Sequence, residues 1–221
     1  LSFLLISIVG ILLVIQPDLG QTLLIGFSWL ILVYISGISL FFLFGIFIVF
    51  SALLGYTAIY IPKFDYIKNR LLSFFNTESG THNFQSEKAI ESITSGGFFG
   101  KGIGEGSLKN RVPEAHTDYI IAVISEEFGV IAIMLILILF LIFIFSVFKK
   151  ARIESEEKIK LILVGSISLI LMQVMIHVGV NIRLLPTTGM TLPYLSYGGS
   201  SIICVSILSG IILNLTKRKI K

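Results

Sequence analysis

The chain has 221 residues, of which 55% are hydrophobic and 14% charged, with 18 Phe dominating the aromatic content. That composition excludes an ordinary soluble domain, whose polar surface it cannot supply, and predicts an all-α polytopic membrane protein. The net charge of +4 is spread between a loop and two short clusters, which excludes a nucleic-acid footprint gathered on one face.

A membrane span needs about 20 mostly apolar residues. Residues 1–61 hold three candidates. The first, 1–15, ends at Gln16-Pro17-Asp18-Leu19-Gly20; the second, 21–35, closes at Ser36-Gly37; the third, 40–61, stops at Pro62. Leu1 already lies inside a hydrophobic run, with neither a basic n-region nor a small-residue cleavage site, and reads as the interior of a longer protein. Residues 62–117 form a long polar loop. Within it, 84–94 predicts a short amphipathic helix with Phe84, Ala89 or the stem of Lys88, and Ile90 and Ile93 toward the membrane surface. The glycine-rich run from Ser95 to Gly106 invites a phosphate-loop reading but lacks the GxxxxGK[ST] spacing and a preceding strand. It reads instead as a packed loop or as one wall of a substrate cleft.

The fourth span covers 118–148 and ends at Lys149, Lys150 and Arg152. A short connection, 149–158, leads into the fifth, 159–182. This span carries Gln173, His177 and Asn181 at i, i+4 and i+8, a polar stripe of the kind that hydrogen-bonds to neighbouring segments. No Cys, Asp or second His stands at metal spacing beside His177, so it reads as a packing partner rather than a ligand. Residues 183–199 hold two prolines and several glycines and hydroxyl residues, and cannot be a regular span. Irregular backbone at such depth is tolerated where protein covers it or where it lines a cavity. The sixth span is 200–216, and 217–221 is a basic tail. Cys204 is the only cysteine, so the chain has no intrachain disulfide.

Basic residues in short connections mark the cytoplasmic side. Lys149, Lys150, Arg152, Lys158 and Lys160 crowd one connection, and the tail adds Lys217, Arg218, Lys219 and Lys221. Two spans separate these clusters, so both fit the cytoplasm. Counting back, 62–117, 183–199 and the turn at 16–20 all fall on the outer face.

The stretch Pro113-Glu114-Ala115-His116-Thr117-Asp118-Tyr119-Ile120 stands where the long polar loop enters the fourth span. Pro113 suits a first helical turn, and Glu114 complements the positive end of a helix. Asp118 is then expected about one turn inside, on the side shared by Ala122, Ser125 and Gly129. An ionisable group at the edge of a span marks a functional site or pairs with a partner, the plainer alternative being an interfacial cap. Glu126 and Glu127 point to different sides and suit a structural ion pair or hydrogen bond. A nucleophile built from Ser196, His116 and Asp118 lacks the G-x-S-x-G turn.

Three of these stretches together resemble the FtsW/RodA family of shape, elongation, division and sporulation proteins. They are Gln16 to Gly20; Pro113 to Ile120 with Glu126-Glu127-Phe128-Gly129; and Leu185-Pro186 through Ser196-Tyr197-Gly198-Gly199-Ser200-Ser201. Pro-Glu-Ala-His-Thr-Asp and Gly189-Met190-Thr191-Leu192-Pro193 look more like the cell-division branch than the elongation branch. The resemblance implies a ten-span fold of which this chain holds about the last six. It implies a peptidoglycan glycosyltransferase that polymerises lipid II on the outer face of the bacterial cytoplasmic membrane. The implied partners are a class B penicillin-binding protein, other divisome proteins and membrane lipid. It makes Asp118 the catalytic residue. With that role, Glu114, His116 and Thr117 are expected to position the sugar, and Ser196, Tyr197, Gly198 and Gly199 to line the cleft. Asp18 is expected to pair with a basic group or cap a helix. The leaving pyrophosphate calls for positive charge or a divalent ion such as Mg2+ or Mn2+, between which the sequence does not choose. A lipid II flippase and a non-catalytic divisome scaffold are the rival classes.

Overall fold

The computed structural model describes residues 2–16, 18–60, 65–75, 81–111 and 114–217. Pro17, Pro62, Pro113 and residues 218–221, each given a role above, lie outside them. The regular elements among the described residues are all helices, with no strand: α1 Ser2–Ile15, α2 Leu19–Ile35, α3 Leu40–Tyr60, α4 Asp65–Phe75, α5 Thr81–Gly96, α6 Leu108–Arg111, α7 Ile120–Ile153, α8 Glu157–Asn181 and α9 Gly199–Lys217. Among them α7, α8 and α9 are long and apolar enough to cross a membrane, and α1 and α2 are shorter apolar helices. The chain is a multi-pass membrane protein.

The most buried of the three long helices is α8, which packs against α2, α5, α7 and α9. At its first half Leu163, Val164, Ile167 and Ile170 meet Ile144, Val147 and Ala151 of α7 and Ile212 of α9. At its second half Ile176 and Val180 join a different cluster, made by Leu24 of α2, Ala89 of α5, Leu108 of α6, and Ala115, Tyr119, Ala122, Val123 and Met190. One end of the bundle is therefore closed by helix on helix. The other is closed by the polar loops folding back over α8. The outward faces of α7 and α9 stay apolar and exposed, as with Leu135, Leu139, Phe145, Ile203 and Ile207. This is the pattern of helices bathed in lipid on one side.

Between the third and fourth spans the polar region is more structured than one short amphipathic helix, holding α4, α5 and α6. Moreover, part of the apolar side of α5 packs on protein. Ala89 is fully buried and Ile93 packs with it against Tyr119 and Ala122, while Phe84 remains 49% exposed. The reason is steric: alanine at position 89 lets α5 approach α7 closely, in the most extensive helix pairing among the described residues.

The helix α7 is broken. At Gly129 the backbone leaves helical space (φ 83°, ψ 170°), dividing it into segments 120–128 and 130–153. In an unbroken helix the amides of Val130 and Ile131 would bond to the carbonyls of Glu126 and Glu127. Here Val130 N–H donates to Gly97 O (3.0 Å) and Ile131 N–H to Phe98 O (3.4 Å). The freed carbonyls of Glu126 and Glu127 accept from Lys101 N–H (2.8 Å) and Gly102 N–H (3.1 Å). The glycine-rich loop thus supplies both sides of the missing helical bonds, as backbone freed inside a span requires. On this side it is a packed loop. Contact this close needs bare backbone: a Cβ on Gly129 would lie 2.1 Å from Phe98 O, and one on Gly100 2.2 Å from Glu127 O.

Candidate active site

Residues 114–119 form consecutive turns, and α7 begins at Ile120 with Tyr119 at its N-cap. Asp118 therefore lies just before the helix and not one turn inside the span, correcting the expectation. The physical reason sits at Glu114, whose backbone is left-handed (φ 63°). That conformation closes a turn in which its carbonyl accepts from Thr117 N–H (3.1 Å) and Asp118 N–H (3.0 Å). A non-glycine residue there is strained and persists only where its surroundings fix it. The expected companions Ala122, Ser125 and Gly129 are all buried against protein.

The surroundings do fix it. The carbonyls of three successive residues accept bonds from distant parts of the chain. Tyr197 N–H donates to His116 O (3.0 Å), Ser196 Oγ to Thr117 O (2.6 Å) and Asn181 Nδ2 to Asp118 O (2.9 Å). Ser196 Oγ also accepts from Leu192 N–H at 2.8 Å and is itself buried. Its hydroxyl braces the Asp118 turn, and both of its bonds go to main-chain atoms rather than to the side chain of His116 or Asp118. Tyr197 contributes its backbone, and its side chain is 81% exposed. Gly198 is part-buried, with a Cβ there 3.1 Å from Thr191 Cγ2, and Gly199 opens α9 in free space. His116 is exposed beside the turn.

The polar stripe of α8 is the frame beneath this loop. Gln173 Nε2 donates to Thr191 O (2.9 Å) and Ser201 Oγ (3.1 Å). His177 Nδ1–H donates to Met190 O (2.6 Å), and Asn181 reaches Asp118 as above. With that tautomer set by the Met190 bond, His177 acts as a tether. On the opposite side Gly20 of α2 packs so closely that a Cβ there would meet Met190 Cγ at 2.7 Å and Thr188 O at 2.8 Å. Asp18 caps α2, accepting from Gln21 N–H at 2.9 Å. The three sequence stretches thus meet at one place: Gly20 on Thr188, Gly189 beside Asp118 (a Cβ there would lie 3.7 Å from Oδ2), and Ser196 on Thr117.

Electrostatics single out Asp118 within this group. Burial, and then the Glu114 carboxylate, hold its carboxyl above the ordinary range, while the Thr117 hydroxyl and the Arg70 guanidinium pull the other way. Next to it the buried Tyr119 phenol is pushed up to about 12, by burial first and then by the Asp118 charge. The Thr117 hydroxyl donates to Glu114 Oε2 at 2.8 Å. Arg70 comes from α4, in the region read as loop, and its Nη1 donates to Thr187 O at 3.3 Å. One turn before it, Tyr66 donates its hydroxyl to Val14 O of α1 (3.0 Å). Sequence reasoning missed this cation. The available signal was the helical spacing of Tyr66, Arg70 and Phe74, with Ile67 and Leu71 between them. Among the described residues no three His, Cys, Asp or Glu side chains converge as a metal-ligand set.

Comparison with known proteins shows the family. The model of the FtsW/RodA/SpoVE family, described as cell cycle protein, matches residues 1–221. The probable peptidoglycan glycosyltransferase FtsW of Caulobacter vibrioides is 36% identical over 221 residues, covering 99% of this chain and 55% of the relative. Its namesake from Buchnera aphidicola is 37% identical over 209 residues, covering 91% and 54%. The chain thus spans about half the length of the curated relatives it matches. Among solved structures, a peptidoglycan synthase complex that coordinates polymerization and crosslinking superposes with a TM-score of 0.80 at 28% identity, covering all of this chain and 62% of that one. The rod shape determining protein RodA of Thermus thermophilus gives 0.63 at 26% identity, covering 99% and 56%. On the match over its whole length, the chain belongs to the FtsW/RodA/SpoVE family.

Proposed function

We propose that this chain carries the catalytic part of a peptidoglycan glycosyltransferase that polymerises lipid II into glycan strands during bacterial cell division. The observation that carries the reading is the setting of Asp118. Its main chain is held by Asn181 and flanked by two further held carbonyls, and its carboxyl stands above the usual range within the field of a cation. A general base needs that combination of fixed position and adjusted proton affinity. The names of the relatives and of the synthase complex point to the same chemistry.

In this mechanism Asp118 accepts the proton of the acceptor hydroxyl as its oxygen attacks the anomeric carbon of the donor sugar. The bond from that carbon to the lipid diphosphate breaks, and the diphosphate leaves with the electron pair. Arg70 supplies positive charge on the side where negative charge grows. Glu114 and Thr117 hold each other and, with His116, shape the approach of the sugar, while Ser196 and Tyr197 brace the turn and Gly198 and Gly199 line the approach beside it. The working partner is a class B penicillin-binding protein, with other divisome proteins around it. The protein sits in the bacterial cytoplasmic membrane with the Asp118 face outward.

The test is lipid II polymerisation by the whole protein, reconstituted with its transpeptidase partner, comparing native with Asp118→Asn. Loss of polymer by at least about a hundredfold is expected, the scale on which a positioned base contributes. Undiminished polymer from a folded variant overturns the assignment. Translocation of lipid II in the same proteoliposomes without polymer would favour the flippase class instead.

A further inference from the structure

The carboxylate of Glu126 is the most heavily bonded buried group outside the site, and the mechanism above does not use it. It lies in the first segment of α7 and is 1% exposed. Its Oε1 accepts from Lys101 Nζ (3.0 Å), Ser107 N–H (3.0 Å) and Ser107 Oγ (3.1 Å). Its Oε2 accepts from Leu108 N–H (3.0 Å) and Ser92 Oγ (3.3 Å). Every partner is a donor, and they come from α5, the middle and the far end of the glycine-rich loop, and the start of α6. Such a knot costs more than helix-to-loop adhesion needs, because the backbone exchange around Gly129 already fastens the loop to α7.

What the knot adds is a connection to the Asp118 turn. Leu108, whose amide Glu126 holds, buries its side chain to 1% exposure among Ala89, Ala115, Tyr119 and Ala122. Ala115 and Tyr119 bracket Asp118. Segment 120–128, freed from the rest of α7 at Gly129, carries Tyr119 at one end and Glu126 near the other. A short helix separated from its continuation by a glycine can pivot, and it needs a second fixed point besides the bonds at 116–118.

We infer that Glu126 is a positioning residue for the transfer reaction: its carboxylate pins segment 120–128 to the glycine-rich loop and α6, and so fixes where Asp118 meets the acceptor hydroxyl. This rests on Asp118 being the base and adds the device that aims it. A displacement of about 1 Å at a reacting group costs on the order of a hundredfold in rate. Loss of the knot therefore acts on turnover and leaves substrate capture largely intact. Gln at 126 keeps the shape but presents an amide N–H2 to a ring of donors, and Ser107→Ala removes one donor without touching α7.

The experiment measures kcat and KM for lipid II polymerisation by the whole protein with its partner, and melting temperature in detergent, for Glu126→Gln, Ser107→Ala, Asp118→Asn and the distant core variant Val147→Ala. The expected result is a kcat lowered by about tenfold or more in Glu126→Gln and by less in Ser107→Ala, with KM within about twofold of native. Val147→Ala should lose melting temperature yet keep its kcat. A kcat within about twofold of native in folded Glu126→Gln overturns the inference, as does a Val147→Ala variant that loses kcat in proportion to its melting temperature. Should Glu126→Gln fail to fold, an unchanged kcat in Ser107→Ala overturns it equally. Asp118→Asn separates the two readings. If it is inactive while Glu126→Gln is native-like, only the positioning role falls; if it is fully active, the base assignment falls.

Discussion

At the level of the residue, the proposed base role turns on the proton affinity of Asp118. Burial and the neighbouring Glu114 carboxylate raise it above an ordinary carboxylate, and both effects have measurable consequences. A general base works only when deprotonated, so the acid limb of the pH–rate profile should lie above the range of a free aspartate. Glu114→Gln removes the second cause and should move that limb to lower pH, whereas loss of Arg70 should move it to higher pH. Initial polymerisation rates between about pH 4 and 8 would read both shifts, and an unmoved limb in Glu114→Gln would remove Asp118 from the role of titrating base. The stability consequence has the opposite sign from that of a salt-bridged aspartate. With its folded proton affinity raised, Asp118 stabilises the protein fully only below its unfolded pKa, and this contribution is lost as pH rises through the folded value. Asp118→Asn, which stays neutral, should therefore melt at or above the native temperature at pH 7 while being inactive. A fall in melting temperature would mean that the carboxylate is structurally needed.

At the level of the element, the informative feature is a helix that is broken and spliced. The long apolar run made α7 plain to read as a helix, but the basic residues at 149–152, read as its end, are carried inside its last turns, and the helix runs on to Ile153. The break was not legible, because one glycine in an apolar helix is ordinary and only the docked loop reveals its use. The same holds for α4, whose Arg70 belongs to the site through a fold-back of the chain that no local pattern encodes. By contrast, the stripe of Gln173, His177 and Asn181 announced its hydrogen bonding by spacing alone. What it bonds, the irregular loop and the Asp118 carbonyl, came only from the tertiary structure. The splice predicts that Gly129→Ala will cost about 1–3 kcal/mol for the left-handed backbone, before any contribution from the clash with Phe98 O. Limited proteolysis of folded protein should then cut within 97–107 sooner than in the native chain. Equal protection would mean that the loop is held by something other than this close approach.

At the level of the whole molecule, two independent rulers agree on the depth of the site. Measured along α8, Asn181 lies about 31 Å from Lys160; along α7, Gly129 lies about 30 Å from Lys149. Either distance is about one hydrocarbon thickness, so if the basic residues mark the cytoplasmic boundary, both the Asp118 turn and the spliced break stand at the outer one. The segment 120–128 then runs near the outer interface, where a lipid-borne sugar and diphosphate would be found, and the glycine-rich loop with its exposed Phe98, Phe99 and Ile103 lies beside it. The three sequence stretches that carry the family resemblance were legible one by one. Their meeting was not, because Gly20 against Thr188 and Ser196 on Thr117 join residues more than a hundred or nearly eighty positions apart. The arrangement makes a definite prediction of sidedness. In a background with native cysteines, Cys204 included, changed to serine, His116→Cys on the exposed turn and Ser155→Cys in the short connection after α7 place one thiol at each boundary. A membrane-impermeant maleimide applied to intact cells, with the outer membrane permeabilised if there is one, should label His116→Cys and spare Ser155→Cys. Disruption of the cytoplasmic membrane should make both reactive. The reverse pattern would put Asp118 in the cytoplasm, away from any extracellular glycan, and the glycosyltransferase reading would fall with it.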